Sequence, residues 1–261
     1  MIMLKEGRVL PQLLGSLLFL FCFLPQGLAW AIPAMIAWLC HELGHYIAAL
    51  LLGFQPSITG IFGALLISPR CQGWRESLVA AAGPAINLLL MVLLPGQWSF
   101  CQGLLAIGNL LPVLPLDGGR LLRGLLTWLD NWLFWTKALA LCGMALGLVL
   151  AVLGFLLGYS GFGGLITGVL LFYLAWREWR FAALHFWQAI LASPCQEGWV
   201  KHLALNSSLP ITVAVKFLRP GYRCQIETEN GEISGAAVIT AFVSGNGSLP
   251  ISLLLEKDFL T

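Results

Sequence analysis

From residue 9 to residue 176 the chain runs through long apolar stretches broken by short clusters of Gly, Pro and charged residues. A helix needs about 20 apolar residues to cross the hydrocarbon core of a bilayer. The breaks divide residues 1–180 into about six such runs, at 9–24, 28–52, 76–95, 99–116, 133–158 and 161–176. Pro112 and Pro115 interrupt the run at 99–116 and must disturb a helix there; the last run is short. Beyond residue 180 the pattern shortens to stretches such as ITVAVKFL and YRCQIETE, with NGE and GNG as hairpin turns. The pattern predicts an all-α polytopic membrane protein of about six transmembrane helices, residues 1–180. A small, mostly-β cytoplasmic C-terminal domain, residues 181–261, follows it.

Lys and Arg near span ends stay on the cytoplasmic side. With the N-terminus inside, the cytoplasmic segments hold Lys5, Arg8, Arg70, Arg75, Arg120, Arg123, Lys137, Arg177 and Arg180, while the connections at 25–27, 96–98 and 159–160 carry no charge. The chain is therefore expected to be a multi-pass cell-membrane protein with both termini cytoplasmic. The first apolar stretch, behind Lys5 and Arg8, lacks a good cleavage motif and reads as a retained anchor. Residues 53–75 are too short and Gly-rich to span and too apolar for an ordinary loop. They suit an interfacial segment or a hairpin re-entering the bundle, which is tolerated where protein buries it; a greasy surface loop fits as well.

Composition narrows the class. Of 261 residues 59% are apolar and 10% charged, whereas a soluble domain is about a quarter charged. The formal net charge of +2 excludes an electrostatic nucleic-acid binder and leaves the lipid bilayer as the partner. Seven scattered cysteines without a CxxC pair suggest neither a disulfide framework nor a thiolate metal site.

Against this background four ionisable residues inside the spans stand out: His41, Glu42, His45 and Asp117. A charge at the centre of a membrane helix costs about 2.5 to 3.5 kcal/mol on insertion scales. Three of the four lie in the stretch HELGH. Positions four apart share a helix face, so His41 and His45 can reach one ion. Glu42, about 100° around the helix, suits general base work on a water held by that ion. Catalytic zinc takes three protein ligands and leaves a position open. The other acidic residues of 1–180 (Glu6, Glu76, Asp130 and Glu178) sit beside basic residues at predicted cytoplasmic edges, which leaves Asp117 as third ligand. Its surroundings, NLLPVLPLDGGR, place two prolines before it and two glycines after it, a break expected to bend the chain beside the metal. A metal or proton transporter also uses intramembrane His and Asp, but needs a second polar station, and none is visible in the sequence.

At these motifs the chain resembles the site-2 protease family of intramembrane zinc metalloproteases, and most closely its stage IV sporulation protein FB type. HELGH matches the family's HExxH. LDGG, from Leu116 to Gly119, matches its second metal element, with Asn109 and Pro112 upstream; AAGPAIN supplies Gly83, Pro84 and Asn87 of a third. The likeness covers residues 30–125. It implies Zn2+ on His41, His45 and Asp117, Glu42 as general base and acid, and proteolysis of a membrane-tethered protein substrate. Asn109 or Asn87 would help hold the substrate backbone or the oxyanion. Members of this branch often end in a nucleotide-binding CBS domain, which the tail matches weakly, so ATP sensing is not carried over. An inhibitory membrane partner, or a second copy of the chain, is left open.

Overall fold

A computed structural model describes residues 28–54, 57–59, 64–66, 73–127, 131–158, 162–192, 200–219 and 222–255. The expected span at 9–24 lies outside the described residues. Six helices build the first part: α1 (Leu28–Leu51), α2 (Trp74–Leu93), α3 (Gly96–Asn109), α4 (Asp117–Leu126), α5 (Trp132–Leu156) and α6 (Phe162–Ala192). Three of them, over Ala29–Leu51, Trp74–Leu93 and Trp132–Leu156, are long and apolar enough to cross a membrane. The run at 99–116 instead divides at its prolines, α3 ending at Asn109 and α4 starting at Asp117. The run at 161–176 belongs to a helix of 31 residues that continues past Arg177, Glu178 and Arg180 to Ala192.

Small residues let the helices approach closely, the usual basis of packing in lipid, where apolar side chains gain nothing from leaving the solvent. On α5 a Cβ at Gly147 would stand 2.5 Å from the Phe172 backbone nitrogen of α6. Between α1 and α2 two short strands, β1 (Ser57–Thr59) and β2 (Ala64–Leu66), pair antiparallel with Ser57 opposite Leu66, and β2 lies beside α1. Within segment 53–75 the described residues thus form an antiparallel strand pair.

The C-terminal region is not mostly β. Its order is β3 (Val200–Ala204), α7 (Ile211–Ala214), a 3-10 turn (Val215–Phe217), β4 (Arg223–Thr228), β5 (Gly231–Ser234), α8 (Gly235–Val243) and a second 3-10 turn (Ile251–Leu255). The sheet order is β3-β4-β5, with β3 parallel to β4 and β4 antiparallel to β5. ITVAVKFL, expected as a strand, forms the helix and turn because its buried residues, Ile211, Ala214, Val215 and Leu218, fall at i, i+3, i+4 and i+7, one face of a helix. Pro210 stands at its N-cap. The NGE turn does make a hairpin, between β4 and β5, whereas GNG follows α8.

The inner face of this sheet, Leu203, Cys224, Ile226 and Ile233, shares one core with Trp132 at the start of α5 and with Phe186 and Ile190 near the end of α6. Polar contacts seat it further: Arg219 Nη1 donates to the Thr127 carbonyl at 3.2 Å, and Asn131 Nδ2 to the Lys216 carbonyl at 3.4 Å. Tyr222 lies over Gly73, whose φ of +66° and lack of a Cβ admit the ring. The C-terminal region therefore packs on α5, α6 and the C-terminal end of α4, the end away from Asp117.

Candidate metal centre

The side chains of His41 and His45 on α1 and Asp117 on α4 meet at one point, all three buried. Nε2 of His41 lies 2.8 Å from Oδ2 of Asp117, and Nε2 of His45 lies 3.1 Å from the same oxygen and 3.1 Å from Nε2 of His41. The rings stand nearly perpendicular, at 89°, with centroids 4.7 Å apart. One ligand atom from each residue lies within 4.8 Å of the others; among the described residues this is the group of His, Cys, Asp and Glu with metal-ligating geometry.

Hydrogen bonds on the far side of each ring set its tautomer. Nδ1 of His45 is 2.7 Å from the Val79 carbonyl, which can only accept, so Nδ1 carries the proton. For His41 the argument takes one step more. Nδ2 of Asn87 donates to the Ala37 carbonyl at 3.0 Å, another obligate acceptor, and this fixes which way the amide points. Its Oδ1 therefore faces Nδ1 of His41 at 2.8 Å and accepts from it. In the neutral rings both Nε2 atoms are then left with bare lone pairs, aimed at each other and at a carboxylate oxygen. Three acceptors at such separations repel unless a cation lies among them. Two imidazole nitrogens and one carboxylate oxygen, each ring held from behind, are a donor set that fits zinc with a fourth position open.

Gly83 makes this convergence possible. A Cβ there would stand 2.5 Å from Nε2 and 2.6 Å from Cε1 of His45, and 3.0 Å from Cε1 of His41. Asp117 opens α4, so its carboxylate lies at the positive end of a helix dipole. Gly118 and Gly119 do not bend the chain as expected. They are the second and third residues of the helix, and a Cβ on either would collide with backbone, that of Leu110 and Leu111 or of Val113 and Leu114. Their role is close approach of α4 to the segment before it. That segment hangs on α5, with Leu114 N–H donating to the Leu139 carbonyl at 3.2 Å. The far end of α4 is tied to α2 by the buried ion pair of Arg123 with Glu76, and Ser77 Oγ donates to the Leu121 carbonyl at 2.8 Å.

Glu42 is half-buried and within electrostatic reach of both imidazoles, Asp117 and Arg120. Nη1 of Arg120 is 3.9 Å from Oδ1 of Asp117, the carboxylate oxygen turned away from the histidines. Asn87, expected beside substrate or oxyanion, spends its groups elsewhere: Oδ1 on His41, Nδ2 on Ala37 and on Gln102. Asn109, the last residue of α3, donates to the Leu105 carbonyl one turn back at 3.1 Å. Gln102, fully buried, is uncharged and lies in no motif, so ionisable residues and motifs alone do not single it out. A search of polar as well as ionisable residues inside the spans would have found it.

No family model matches the chain. It is 35% identical over 135 residues to a protein of Synechocystis sp. described as "Putative zinc metalloprotease". The alignment takes in 44% of this chain, which spans about a third of that relative, 34% of its length. Among solved structures it is similar to the site-2 protease from Methanocaldococcus jannaschii, at 22% identity and a TM-score of 0.50, over 66% of this chain and 88% of the other. At that identity the likeness is one of fold.

Proposed function

We propose that this chain is an intramembrane zinc metalloprotease of the site-2 protease type, cleaving a membrane-associated protein substrate in regulated intramembrane proteolysis. The observation that carries the reading is the meeting of His41 Nε2, His45 Nε2 and Asp117 Oδ2, the aspartate 76 and 72 residues along the chain from the two histidines, with Nδ1 of each ring bonded to an acceptor on its far side. In it His41, His45 and Asp117 hold Zn2+ and Glu42 is general base and acid.

Zinc held by His41, His45 and Asp117 would supply Lewis-acid polarisation of the scissile carbonyl and a water more acidic than in bulk. Glu42, next in sequence to one ligand, accepts the proton as the water oxygen bonds to the carbonyl carbon. It delivers that proton to the departing nitrogen as the C–N bond breaks, and proton count and charge balance over the turnover. Asn87 and the Val79 carbonyl keep both rings in place while the substrate changes shape, an outer-shell duty common to metal-bound histidines. A helical substrate hides its carbonyls in its own hydrogen bonds and must unwind; the β1–β2 pair offers a strand edge for it to join. The multi-pass arrangement with cytoplasmic termini, and the stage IV sporulation protein FB branch with a membrane-tethered transcription-factor precursor as substrate, are parts of the proposal.

The test is co-expression of single-span candidate substrates with the wild type and with Glu42→Gln. The variant should cut nothing while holding as much zinc as the wild type. Cleavage that survives the substitution would dismiss the mechanism.

A further inference from the structure

The neighbour of Asn87 on α3 has no part in the mechanism above. Gln102 is fully buried in a helix without a single charged residue. An amide in such surroundings is costly unless its hydrogen bonds are made. Its Oε1 accepts from Nδ2 of Asn87, while its own Nε2 has no partner among the described residues. An apolar residue of similar size would avoid that loss, so stability alone does not account for the glutamine. What its oxygen holds does.

We infer that Gln102 is a positioning residue of the metal centre, acting through Asn87 on the His41 ring. The inference rests on the reading of His41, His45 and Asp117 as metal ligands. Asn87 has two N–H groups and one acceptor oxygen. The Ala37 carbonyl and Gln102 Oε1 are acceptors for the N–H groups; His41 Nδ1–H is the donor to the oxygen. Turning the Asn87 amide over would set its oxygen against two acceptors at once and present an N–H group to Nδ1 of His41. That arrangement favours the wrong tautomer, with the proton on the metal-facing nitrogen. With Gln102 Oε1 facing Asn87, two acceptors oppose the turn more strongly than one. Gln102 also draws α3 to the point where α1 and α2 already meet, so three helices share the task of orienting one imidazole.

The experiment measures zinc affinity of the purified full-length chain by competition with a chelator, with the thermal midpoint of each variant as a check on folding. The wild type should bind one zinc per chain. Failure there overturns the metal reading itself and is independent of Gln102. Gln102→Met keeps the volume and removes the acceptor; it should weaken binding about tenfold, the lower end for outer-shell changes. Gln102→Asn, an amide too short to reach, should weaken it similarly and serves if the methionine variant does not fold. Gln102→Glu keeps an acceptor oxygen in place and should stay within about threefold of the wild type. In an Asn87→Ala background Gln102→Met should have no further effect, because the path has been cut. Cobalt substituted for zinc should show a changed visible spectrum in Gln102→Met and not in Gln102→Glu. Wild-type affinity in folded Gln102→Met or Gln102→Asn, or losses that add in full to that of Asn87→Ala, would overturn the inference.

Discussion

Replacing Gly83 by Ala adds one methyl group beside the two imidazoles, and its effect follows from distances. The new Cβ would stand 2.5 Å from Nε2 of His45, about 0.9 Å inside the 3.4 Å of an ordinary contact, and 3.0 Å from Cε1 of His41. The His45 ring cannot slide away freely, because its Nδ1 is bonded to the Val79 carbonyl on the same helix as Gly83. Metal ligands tolerate displacements of about 0.2 Å from ideal distances, several times less than the shift demanded. Overpacking of this kind costs about 1–3 kcal/mol in stability. Its sharper consequence is a loss of zinc affinity of at least the 10- to 100-fold typical of outer-shell lesions. Chelator competition on detergent-purified protein reads the affinity, and a thermal melt reads the fold. Gly108→Ala is the control, since nothing lies within 4 Å of a Cβ there; it should bind zinc as the wild type does. Wild-type affinity in Gly83→Ala would refute the convergence of the two rings around that glycine.

Two further substitutions address the support of the site. Asn87→Ala removes the acceptor that holds the proton of His41 Nδ1 and should lower zinc affinity about 10- to 100-fold with a smaller change in melting temperature; unchanged affinity would mean that the tautomer argument is wrong. Arg123→Met leaves the buried Glu76 carboxylate without its partner and should destabilise the chain by about 3–5 kcal/mol, whereas Glu76→Gln with Arg123→Met together should recover much of the loss. Equal destabilisation in the single and double variants would argue that the pair is not coupled.

The histidine pair was legible because four-residue spacing on a helix is a local property. Asp117 was reached by elimination, which worked because lipid leaves so few acidic residues to choose from. What the sequence did not disclose depends on non-local contacts. Asn87 stood out in a motif, yet its bonds run to α1 and α3, and nothing local says which of its atoms faces a histidine. Gly118 and Gly119 read as hinge residues because a glycine pair after prolines usually is one; their need for space comes from a backbone folded back over them. Helix α6 outlasted the apolar run because charge marks where lipid ends, not where helical hydrogen bonding does. ITVAVKFL reads as a strand because its β-branched residues and near-alternation mask the i, i+3, i+4, i+7 spacing of the residues that are buried.

The central claim is a mononuclear site built from His41, His45 and Asp117, and zinc K-edge X-ray absorption on the purified chain tests it most directly. The account predicts one zinc per chain with a first shell of nitrogen and oxygen at about 2.0–2.2 Å, two imidazoles in the outer-shell scattering, and no sulfur shell at about 2.3 Å. Loss of that signal should follow alanine substitution of any one of the three residues. A sulfur shell, or stoichiometric zinc retained in Asp117→Ala, would contradict it.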